Sequence, residues 1–172
     1  MSAKRGVSIA FLIVTIVAVV LLVFAWINSD EYGYDQDYGY PQLALRTSQE
    51  TIMFSRDEIE TIGLHTFTAT LDIGNGISEQ HVCEGVSLKR LLEYSMVQMT
   101  SDATYVAVGE DGHRSAYTAQ EVDQEDVYIV IAADGHLLAP PTQGGPGPLM
   151  AAVREDRSTQ RWCKYLVEIR VE

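Results

Sequence analysis

The sequence predicts an α+β domain, one mixed β-sheet with short helices, carried behind a single N-terminal transmembrane helix. Three observations point there. Residues 7–27 carry no charge, two short helices open on capping boxes, and the segments around them alternate apolar and polar residues in pairs separated by glycine turns.

The N-terminal run comes first. Twenty-one uncharged residues at helical rise span about 31 Å, close to the hydrocarbon thickness of a bilayer. A cleaved secretory signal is the rival reading, but the run exceeds the usual apolar region of such signals and ends in Val23-Phe24-Ala25-Trp26-Ile27 with no small-x-small site. Lys4 and Arg5 are the only charges before it. They keep residues 1–6 cytoplasmic, so the C-terminal part is expected outside the cytoplasm as a single-pass protein of the cell membrane.

Beyond the span, ten basic residues face twenty-four acidic ones. A surface of that sign repels phosphate at long range, so nucleic acid is not an expected partner. Asn28 to Pro41 sets acids and glycines against tyrosines without helical or strand periodicity, and residues 28–50 are expected to form an acidic spacer. Residues 51–172 hold the domain.

Within it, Ser55 and Glu58 form a capping box with Phe54 and Ile59 as its staple, and the helix they open stops at Gly63. His65 to Leu71 alternates threonine against Phe67, Ala69 and Leu71, which predicts a half-buried strand. Gly74-Asn75-Gly76 turns it into the partner strand Ile77–Cys83. A glycine turn at Gly85 should then lead into a helix capped by Ser87, with Val86 and Leu91 as staple and Leu88, Leu91 and Leu92 on its apolar face. Thr104–Val108 and His113–Tyr117 read as a second hairpin, and Thr118 with Glu121 caps one helical turn. Val127–Ala133 is almost wholly apolar, as expected of a strand covered on both faces. Asp134-Gly135 makes a tight primed turn, and the proline-rich stretch 139–148 a surface loop. Leu149–Val153 is a strand, and Trp162–Val171 closes the sheet with Cys163, Tyr165, Val167, Ile169 and Val171 on one face.

Four pieces of this domain stand in a telling order: Ala69-Thr70-Leu71-Asp72; Gly85 to Leu92; Asp134 to Leu138 with Gly144-Gly145-Pro146; and Arg161-Trp162. Together they resemble the molybdopterin-binding domain of the sulfite-oxidase-type oxidoreductases over most of residues 52–172. The resemblance implies that family's fold and assigns Gly144, Gly145, Arg161 and Trp162 to cofactor binding. Two departures accompany it. The family's metal-ligating cysteine follows a Thr-Leu-x segment, and here Ile73 follows Thr70-Leu71-Asp72; isoleucine has no ligand atom. The segment before Arg161-Trp162 brings Glu155 and Asp156 where a dianionic phosphate would approach. A minimal relative without bound cofactor is therefore expected, with molybdopterin as the alternative.

Cys83 and Cys163 are the only cysteines. Outside the cytoplasm a disulfide between them is expected, with two free buried thiols as the alternative. The four histidines show no metal-ligand spacing; His113 beside Arg114, and His136 beside the Gly144-Gly145 loop, would matter if a cleft exists. Arg154, Arg157 and Arg161 could line an anion pocket or pair with neighbouring acids. No nucleophile elbow, P-loop or dinucleotide fingerprint occurs. The function expected is a membrane-anchored, extracytoplasmic, non-catalytic module that binds a protein or a small ligand. A molybdopterin-dependent oxidoreductase, or an accessory subunit of an exported redox complex, is the alternative.

Overall fold

The computed structural model describes residues 42–72, 78–154, 156 and 159–172. The expected membrane span, the acidic segment up to Pro41, the Gly74 turn, Ile73 and Arg157 lie outside the described residues, none of whose helices is long and apolar enough to cross a membrane.

Two sheets replace the single one expected. The first is mixed and runs β2-β1-β10-β5-β6, built from β1 (Gln42–Arg46), β2 (Thr51–Ser55), β5 (Thr104–Gly109), β6 (Arg114–Thr118) and β10 (Leu166–Val171). Its one parallel pairing joins β1 to β10, near the two ends of the described chain. The second is antiparallel: β3 (His65–Asp72), β4 (Ser78–Ser87), β7 (Val127–Ala133) and β8 (His136–Leu137) lie in that order, with β9 (Met150–Val153) also paired to β7. Alternation along a strand cannot say which strands share a sheet, and the division rests on long-range pairing.

The main core fills the space between the sheets. Leu43, Leu45, Phe54, Tyr105, Ala107, Tyr117 and Ile169 come from the first, Val86, Val127, Ile129, Ala151 and Val153 from the second. Helix α1 (Arg56–Ile62) adds Ile59, α2 (Leu88–Tyr94) adds Leu88, Leu91 and Leu92, and α3 (Ala119–Asp123) adds Val122. All three helices have the caps expected, at Ser55, Ser87 and Thr118, with reciprocal boxes through Glu58 and Glu121. Each is two turns or fewer, and burial of its apolar face holds it in place. A second cluster covers the other face of the second sheet: Phe67, Ala69, Cys83, Tyr128, Val130, Leu138, Met150, Ala152 and Trp162. Burial on both faces explains the unbroken apolar run of β7.

Three local expectations change. The spacer does not reach residue 50, because Leu43 and Leu45 of β1 are fully buried, and their alternation with Ala44 is that of a strand. Gly85 makes no turn. It lies inside β4 at a register shift where an added Cβ would collide with the Ile129 carbonyl, so glycine is required by close backbone approach. The closing strand begins only at Leu166: Tyr165 takes positive φ and the register shifts between Leu166 and Glu168, leaving Val167 exposed while Leu166 and Ile169 face the core.

Candidate functional site

The loop and the Arg-Trp pair that the sequence singles out are brought to one end of the second sheet. After β8 the chain passes Leu138, enters a 3-10 turn at Pro141–Gln143 and returns through Gly144 and Gly145. Gly144 ends that turn with φ +77°, and its N–H bonds to the Pro141 carbonyl. Gly145 packs so closely on Ala139 that a Cβ would strike the Ala139 carbonyl. The Pro146 carbonyl accepts from the Tyr165 N–H at 2.9 Å, tying the loop to the segment after Trp162, and Leu138 shares the second cluster with Trp162.

Arg161 and Trp162 then diverge. The Trp162 ring is buried in the second cluster, and its Nε1 has no hydrogen-bond partner among the described residues. The Arg161 side chain points to the first sheet. Its Nη1 lies 2.7 Å from Glu121 Oε1 and 3.5 Å from Asp156 Oδ2, its Nη2 donates to the Ala116 carbonyl, and the guanidinium lies 5.7 Å from the Tyr117 ring centroid. Burial alone would raise the Glu121 carboxyl. The Arg161 hydrogen bond, with the Thr118 N–H and hydroxyl, outweighs burial and brings it down to about 2. Arg154 is likewise engaged, 2.9 Å from Asp126 Oδ1. These arginines hold carboxylates of their own chain.

The expected disulfide is absent: both cysteines are free, buried thiols. Cys83 pairs across to Ala133 of β7, while Cys163 reaches β7 from the other side through Ala151 and Ile129. Three strand spacings of about 4.8 Å and four residues of about 3.3 Å along β7 separate the two positions. A disulfide joins Cα atoms about 6 Å apart. Burial first, and the Asp134 charge second, pushes the Cys83 thiol up to about 11; burial and Asp111 push Cys163 up to about 12. Neither is a thiolate at neutral pH, so neither is poised as a nucleophile.

His81, two residues before Cys83 on β4, hydrogen-bonds through Nδ1 to Asp134 Oδ2, while Asp134 Oδ1 accepts from the Val82 N–H at 2.9 Å. That carboxylate orients an imidazole, but its charge also helps to keep the neighbouring thiol protonated. His113 Nε2 lies 3.2 Å from the buried Ser115 hydroxyl, and His136 is exposed at the turn after β7. No group of three or more metal-ligating side chains occurs among the described residues.

A further group, with no motif in the sequence to announce it, lies on the outer face of the first sheet. There Arg46 and Arg170 hold Glu168 between them, and the charge of Arg114, two strands away, acts on it as well. The Glu168-Ile169-Arg170 alternation signals part of it, but Arg46 lies within the stretch 28–50 that reads as spacer.

No family model matches the chain, and neither does any curated protein. Among solved structures, the chain is similar to the sulfane dehydrogenase SoxCD from Paracoccus pantotrophus, with TM-score 0.63 and 17% identity over 76% of this chain and 38% of that one. The chain thus spans well under half the length of this neighbour. At this identity the likeness is one of fold: the domain has a fold distantly like that of the molybdopterin oxidoreductases.

That fold raises the question of a pterin cofactor, and the side chains do not fit its anionic phosphate. Arg161, the cation that the resemblance assigns to the cradle, is engaged by Glu121 and Asp156, and Ala139 fills the space beside Gly145. Both thiols are buried, and Ile73 offers a metal no donor atom.

Proposed function

We propose that the chain is a membrane-anchored, extracytoplasmic binding module that uses a molybdopterin-oxidoreductase-like fold to hold a protein or a small ligand without catalysing a reaction. The observation that carries this reading is the engagement of Arg161 by Glu121 and Asp156, which leaves a dianion two carboxylates to displace. The anchored topology rests on residues 7–27 and on Lys4 and Arg5 before them.

A ligand that binds only the folded chain raises its melting temperature by mass action. Purified full-length chain, incubated with excess molybdopterin and molybdate, is expected to melt where it did before. A concentration-dependent rise would contradict the reading.

One observation favours the alternative of a molybdopterin-dependent oxidoreductase or its accessory subunit. Trp162 Nε1 is a buried donor with no partner among the described residues, and a bound group with an acceptor oxygen would satisfy it. In that case Trp162→Phe would weaken cofactor retention without altering the melting temperature of the cofactor-free chain.

A further inference from the structure

Away from the first sheet's outer face, most basic side chains of the domain are matched by a carboxylate. Arg56 has Glu60, Lys89 has Asp123, Arg154 has Asp126, and Arg161 has Glu121 and Asp156. On that outer face the balance reverses. Register puts Arg46 of β1 opposite Arg170 of β10. One row along, it aligns Ala44, Glu168, Val108 and Arg114 across four strands. Glu168 lies 2.9 Å from Arg170 Nη2 and 3.1 Å from Arg46 Nε, and the Arg114 charge acts on it as well. Two guanidinium groups hold Glu168 directly and Arg114 acts on it at longer range, while Glu172 adds an attraction on Arg170, so cations outnumber carboxylates here in a chain whose net charge is −12. The Arg46 side chain is 57% exposed, Arg114 is exposed, and the residues between them on this face include Ala44, Val106 and Ala116, too small to fend off another chain.

We infer that this face docks an acidic polypeptide segment of another protein, with Arg46 and Arg114 as anchors and Glu168 bracing Arg46 and Arg170 between them. Guanidinium forks match carboxylates in paired hydrogen bonds. Three strand spacings and one row separate Arg46 from Arg114, about 16 Å, which suits carboxylates about five residues apart on an extended chain. A nucleic acid would meet the repulsion of the remaining acidic surface well beyond contact, whereas a short acidic segment would meet only the patch. The inference deepens the binding reading above and rests on it for the class of function.

The test is fluorescence anisotropy on full-length chain in neutral detergent. The probe is a labelled glycine-serine peptide carrying two glutamate pairs about five residues apart. Binding at low salt is expected to weaken about tenfold on reaching physiological ionic strength. Arg46→Glu and Arg114→Glu should each cost about tenfold in affinity, and Arg56→Glu, on α1, should cost nothing. Glu168→Gln should tighten binding by removing the competing carboxylate, a gain that misfolding cannot produce. The inference is overturned if the peptide does not bind, if a glutamine version or duplex DNA binds equally well, or if Arg56→Glu lowers affinity as much. Metal and pterin content of the same preparation is read separately, so a bound cofactor would remove the non-catalytic reading while the peptide result stands on its own.

Discussion

Tyr117 engages Arg161 twice: its hydroxyl donates to the Arg161 carbonyl at 2.9 Å, and its ring lies 5.7 Å from the guanidinium. Its cross-strand neighbour Tyr105, fully buried in the same core, has a hydroxyl with no partner among the described residues. One burial cost is offset and the other is not. Tyr117→Phe should therefore destabilise the chain by about 1 kcal/mol, whereas Tyr105→Phe should be neutral or stabilising. Urea denaturation of the two variants checks the contrast.

The Glu121 carboxyl, brought from 4.5 to about 2, makes a pH prediction. A carboxyl whose folded pKa is depressed stabilises above its unfolded pKa and loses that contribution as pH falls through the folded one. Glu121→Gln keeps an amide oxygen for the helix cap but removes the charge. Its cost should be about 1–2 kcal/mol at pH 7 after solvent screening, fading between about pH 4.5 and 2. Thermal melts of both proteins across that range measure the convergence.

The two loop glycines should separate. Gly144 has positive φ but open space around it, so alanine costs backbone strain alone, about 1 kcal/mol. Gly145 has ordinary φ and no space, and alanine there should cost more than about 2 kcal/mol because the Ala139 backbone has to move. Melting temperatures of the two variants settle the order.

Buried, protonated thiols react only when the chain opens. Alkylation at pH 8 should leave Cys83 and Cys163 untouched in the folded chain, and both should label after denaturation without reductant. A chain that labels at neither position once unfolded carries the disulfide after all.

Local physics was legible in the sequence. Ser55, Ser87 and Thr118 cap the helices as their spacing implies, Asp134 and Gly135 both take the positive φ of a primed turn, and Phe67 and Ala69 face inward while Thr66 and Thr68 face out. Pairing at a distance was not. β1 is five residues of ordinary composition whose place depends on β10, more than a hundred positions later, and nothing local marks Gln42–Arg46 as that partner. The cysteine separation hid for the same reason, since it depends on the order of β4, β7 and β9 across the second sheet. At the candidate site the family resemblance groups the glycine loop with Arg161 and Trp162, and the Pro146 carbonyl does accept from the Tyr165 N–H just beyond that pair. The sequence could not show that the Arg161 side chain turns the other way, toward Glu121 on α3. That direction is set by tertiary packing around Tyr117.

On this reading the fold is kept without a redox cofactor. The most direct measurement is metal and pterin analysis of the full chain, purified as made from a host that synthesises molybdopterin and exports proteins across its membrane. The expected result is a folded chain with no stoichiometric molybdenum, tungsten or pterin. One equivalent of metal with one of pterin would contradict it and make Trp162 and the Gly144-Gly145 loop the first places to look for the anchor.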